Sequence, residues 1–133
     1  MPNVILKVTL NEAKGYLDVD EAGNGNQIAH GQNDTVIWQL TGNAASGTFN
    51  AMNAQTPGFE WVQDPPNGVF GTPALQASGN EVQISDNNTD PNGINSSGEW
   101  VYQIAATIDG EVYSTQTTLG PGGNTTDPTI HNL

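Results

Sequence analysis

The sequence predicts an all-β fold, a single sandwich of about seven to eight short strands. Three observations predict it. Sixteen Gly and eight Pro interrupt the chain too often for long helices. Between those breaks, apolar residues alternate with polar ones at period two. The remaining polarity comes largely from Asn, Gln, Ser and Thr, whose side chains compete with a helix backbone.

Taken in order, Val4, Leu6, Val8 and Leu10 share one face of a first strand, and residues 11–15 read as a turn. Leu17 and Val19 face inward on the next strand, with Asp18 and Asp20 outward. Asn24-Gly25 marks a loop. Val36, Trp38 and Leu40 align on a third strand, and Phe49 re-enters the core after a polar loop. One helical turn is expected near residues 51–55. Phe59 and Trp61 share a face of a short strand that Asp64-Pro65-Pro66-Asn67-Gly68 terminates, because proline cannot serve a central ladder. Val69-Phe70 is a brief apolar touch. Val82 and Ile84 point inward on another strand.

The longest alternation is Trp100, Tyr102, Ile104, Ala106 and Ile108. Asp109-Gly110 follows and suits a type I′ turn. A two-residue hairpin then sets Ile108 opposite Glu111, Tyr113 opposite Ala106, Thr115 opposite Ile104 and Leu119 opposite Trp100. The whole of 1–133 reads as one domain, with 124–133 as a tail or last strand.

The Trp38 strand, Phe49, Trp100-x-Tyr102, the Asp109-Gly110 hairpin with Tyr113, and Asp127-Pro-Thr-Ile130 together resemble small bacterial sandwich proteins of immunoglobulin-like or cupredoxin-like type. The resemblance implies the fold and no activity, since many such proteins have no assigned role. A blue-copper site needs cysteine, and the chain has none.

Charge excludes two classes of partner. Fourteen acidic residues against two lysines give a net charge of −12. Nucleic-acid binding requires clustered Lys and Arg, and an anionic membrane surface would repel this chain. The excess acid serves solubility, or affinity for a cation or a basic partner. No signal peptide or membrane span is visible, and the composition is common in extracellular or particle-surface β proteins.

Residues 88–99 have the spacing of a calcium loop, with Asn88, Asp90, Asn92 and Glu99 as oxygen ligands and Gly93 at the turn. Against this stand Asn at the first place, Asn95 at the eighth, the internal Pro91 and flanking strands in place of helices. The competing reading is an Asx-rich connection whose side chains cap their own backbone. His30 and His131 read as surface or capping residues. Trp61, beside Pro65 and Pro66, is a core residue or an anchor for a sugar ring or partner. Ile130 and Leu133 in the tail pair into their own sheet or add to a neighbour's edge. No nucleophile-elbow pattern or phosphate loop occurs, so no enzyme is expected. The leading expectation is a non-enzymatic interaction or assembly module that binds a protein partner or itself, as a homo-oligomeric fibre, surface or capsid-decorating subunit. The alternative is a cation-dependent carbohydrate-binding module using Asp90, Asn92 and Glu99, with Trp61 nearby.

Overall fold

The computed structural model describes residues 3–115 and 128–133. Among them the chain forms eleven strands: β1 (Asn3–Asn11), β2 (Tyr16–Val19), β3 (Gln27–Ile28), β4 (Gln32–Leu40), β5 (Thr48–Phe49), β6 (Phe59–Trp61), β7 (Ala74–Leu75), β8 (Glu81–Asn88), β9 (Gly98–Ile108), β10 (Glu111–Ser114) and β11 (Thr129–Asn132). Setting aside the two-residue strands β3, β5 and β7 leaves eight. The expected helical turn near 51–55 is a hydrogen-bonded turn instead, closed by Ala54 N–H donating to Ala51 O at 3.1 Å.

Two sheets result. One has the order β2-β1-β4-β8-β7, and the other runs β10-β9-β11-β3, with β5 and β6 also on β9. Both are mixed. β1 lies parallel to β4 and β11 parallel to β3, while the other strand pairs are antiparallel. β5 and β10 both pair with Ala106 and Thr107, so they must flank β9 on opposite sides.

The alternation of β9 is as the sequence predicts. Trp100, Tyr102, Ile104, Ala106 and Ile108 are buried, and Ala105 is buried as well. Asp109 and Gly110 both take positive φ (51° and 81°), the requirement of a type I′ turn. The register sets Glu111 opposite Ile108 and Tyr113 opposite Ala106. Thr115 N–H donates to Ile104 O at 3.0 Å, and Ile104 N–H donates to Thr115 Oγ1 at 3.2 Å. Leu119, expected opposite Trp100, lies outside the described residues.

Between the sheets, Trp38, Phe59 and Tyr102 pack ring against ring at centroid distances of 4.9–5.3 Å. Trp38 Nε1–H donates to Tyr102 Oη at 2.7 Å. That bond gives two buried polar atoms a partner each, as interior polar groups require. Burial pushes the Tyr102 phenol well above its ordinary pKa.

The tail resolves the two readings of its end. β11 inserts between β9 and β3, with Ile130 opposite Trp100. Ile130 is 1% exposed. As a docking residue it is therefore corrected: it is part of this chain's own core. Leu133 is 48% exposed, but its backbone is tied down. Its N–H donates to Ile28 O at 2.9 Å, and its carbonyl accepts from Asn88 Nδ2 and Ser97 Oγ, each at 3.2 Å.

Candidate binding site

A cleft opens where the two sheets meet beside Trp61. β6 carries Trp61 on the β9 sheet. Pro65 and Pro66 lack the N–H groups that would extend β6, so the chain turns away, and Gly68 takes φ 96°. The returning segment lies along β8: Asn87 N–H donates to Val69 O at 2.7 Å, Gly71 N–H donates to Ser85 O at 3.0 Å, and Phe70 bridges Asp86. Trp61 and Phe70 thus come from different sheets and meet with ring centroids 4.8 Å apart at 55°. Trp100 supports Phe70 edge-on at 5.7 Å, and Phe59 supports Trp61 edge-on at 5.1 Å.

The cleft holds about 220 Å³ and is lined by Trp61, Asp64, Pro65, Pro66, Asn67 and Phe70, with Gly68 at the turn. Trp61, Pro65 and Phe70 are half-buried, while Asp64 and Asn67 are exposed. Rigid apolar faces are thereby combined with one carboxylate and one amide. Such a surface takes flat or cationic groups on its rings and fixes them through its polar rim.

The 88–99 loop has a different construction. Asn88 is buried, and both of its side-chain atoms are engaged. Nδ2 donates to Ile28 O at 2.9 Å and to Leu133 O, and Oδ1 accepts from Ser96 Oγ at 2.8 Å. Asp90 and Ser96 cap each other: Asp90 N–H donates to Ser96 Oγ, and Ser96 N–H donates to Asp90 Oδ1, both at 3.0 Å. These bonds to Ser96, with lesser help from His30, hold the Asp90 carboxyl below its usual pKa. His30 Nε2 lies 3.2 Å from Asp90 Oδ2. Asn92 sits at φ 54° in an exposed 3-10 turn, Pro91–Gly93. Glu99 projects from β9, with Oε1 3.6 Å from His131 Nδ1. Of the expected calcium ligands, Asn88 and Asp90 bond within the fold, Glu99 stands beside His131, and Asn92 is exposed. Among the described residues no three His, Asp or Glu side chains gather as a metal site.

The chain matches no protein-family model, and comparison with curated proteins finds no relative. Among the described residues no helix is long and apolar enough to cross a membrane.

Sequence reasoning singled out Trp61 and the Pro-Pro break but not Phe70 as its ring partner, because Phe70 comes from the other sheet. It also missed Asp34, Asp86 and Asn132, which are buried beneath the same region at 4%, 0% and 1% exposure. A signal for two of them was present. Asp34 is in phase with Val36 and Trp38, and Asp86 is in phase with Val82 and Ile84, which puts each carboxylate on an inward face.

Proposed function

We propose that the protein is a non-enzymatic protein-interaction module whose cleft, built on Trp61 and Phe70, receives a Lys- or Arg-bearing segment of a basic partner. The observation that carries this reading is a half-buried Trp–Phe pair with the exposed Asp64 carboxylate beside it, on a chain of net charge −12. A cation over an indole face is attracted by the ring quadrupole, and a neighbouring carboxylate adds to the attraction. The overall charge speeds encounter with a basic partner and opposes pairing with a second copy of the same acidic chain. Addition of residues 129–132 to a neighbour's edge has no support, because β11 already pairs on both sides.

The test is titration of a short peptide of alternating Lys/Arg and Ser, followed by tryptophan fluorescence. The expected result is saturable binding that weakens with salt. Trp61→Ala should reduce affinity by about 30-fold or more, the ~2 kcal/mol lost with an aromatic anchor. Trp61 also packs on Phe59, so the exposed Asp64→Lys serves as a second variant and should weaken binding without unfolding. Equal binding by wild type and both variants would overturn the proposal. Asp64 and Asn67 beside an indole also suit a sugar ring. Salt-independent binding of neutral oligosaccharides, lost in Trp61→Ala, would favour that second reading.

A further inference from the structure

The inward faces of β4 and β8 are apolar from Leu40 to Val36 and from Val82 to Ile84, and each then reaches a carboxylate. Asp34 and Asp86 are direct partners across the antiparallel pair. Both are buried. From the other sheet, Asn132 on β11 reaches Asp86. Its Nδ2 donates to Asp86 Oδ1 and to Ser96 O, each at 2.9 Å. Both partners are acceptors, which fixes the amide orientation and leaves the oxygen of Asn132 free. Three buried atoms consequently have no hydrogen-bond partner: Asp34 Oδ1, Asp86 Oδ2 and Asn132 Oδ1.

All three are oxygens that accept, and among the described residues no lysine is buried beside them. The chain's two lysines, Lys7 and Lys14, are both exposed, on the outer face of β1 and in the β1–β2 turn. Neither lysine therefore neutralises the pair from within the fold. A proton can bridge two oxygens and leaves the third unpaired. A hard cation takes oxygens alone, accepts three or more, and has its charge cancelled by two carboxylates.

We infer that Asp34, Asp86 and Asn132 form an internal site for a hard, oxygen-liganded divalent cation of the calcium type. The site ties β4 and β8 of one sheet to β11 of the other, so its occupancy joins the sandwich halves. It stands on atoms other than those of the 88–99 loop and does not rest on the proposed peptide cleft.

The test uses full-length protein stripped with chelator, and the probe is calcium alone. Calcium at millimolar concentration should raise the thermal midpoint in a saturable manner by mass action. Calorimetric titration should give one site per chain. Asp34→Asn and Asp86→Asn, each alone, should abolish both signals, whereas Asp90→Asn and Glu99→Gln should keep them. Should the single Asp variants fail to fold, the Asp90→Asn and Glu99→Gln variants are themselves the readout, since calcium binding that survives both lies outside the 88–99 loop. Absence of any calcium effect on wild type overturns the inference. So does a calcium effect that is lost with Asp90→Asn or with Glu99→Gln.

Discussion

In chelator, Asp86→Asn should stabilise the protein at pH 8 and leave it nearly unchanged at pH 4. Asp86 is fully buried, and desolvation raises its carboxyl from 3.8 to about 7, with Asp34 adding repulsion and the Asn132 amide opposing both. The folded state therefore holds a proton that the unfolded chain has released. A carboxyl raised in this way contributes its full share of stability below pH 3.8, loses it progressively as the pH climbs, and has none left once the pH passes about 7. The interval is about three pH units, and each is worth ~1.4 kcal/mol, so the burden at pH 8 approaches ~4 kcal/mol at most. Asparagine carries no charge, keeps an oxygen for Asn132 Nδ2, and adds a donor that Asp34 Oδ1 lacks. Urea unfolding followed by tryptophan fluorescence measures the difference, with midpoints read at constant m-value. The expected gain at pH 8 is about 2–4 kcal/mol. Parallel pH profiles for the two proteins, or a less stable variant at pH 8, would refute the assignment of a charge burden to Asp86.

Three further perturbations address the scaffold. Tyr102→Phe removes the acceptor from the buried Trp38 Nε1–H and should cost about 1–3 kcal/mol in chemical denaturation. Ile130→Ala should cost about 2–5 kcal/mol and leave the hydrodynamic size unchanged, since Ile130 lies in this chain's own core; a change of oligomeric state with no loss of stability would contradict its placement. Gly58→Ala places a Cβ 2.1 Å from Asn50 O, a backbone clash that should lower the thermal midpoint by an amount corresponding to about 1–3 kcal/mol.

Much of the fold was legible because period two records a half-buried strand directly. β9, the Asp109-Gly110 turn and the β10 register follow from alternation and one dipeptide. What stayed hidden depends on partners far apart in sequence. The parallel pairing of β1 with β4 leaves no local mark, and β3, β5 and β7 are too short to show a period. The site was half legible. Trp61 and the Pro-Pro break were visible, whereas Phe70 joins them only through its bridge to Asp86. In the 88–99 loop the calcium-like spacing was real, but Asp90 and Ser96 close the loop on themselves, as Asx-rich connections do. Asp34 and Asp86 broke the rule that inward positions are apolar, and in-phase carboxylates of this kind are themselves a cue.

The most direct test of the interaction cleft is the indole N–H region of a nitrogen–proton correlation spectrum, recorded with and without the Lys/Arg peptide. The chain has three tryptophans. Trp38, bonded to Tyr102 inside the core, should exchange slowly and stay in place. Trp61 should move progressively as peptide is added, and its shift should saturate. A Trp61 resonance that stays fixed while the peptide binds elsewhere on the acidic surface would contradict the account.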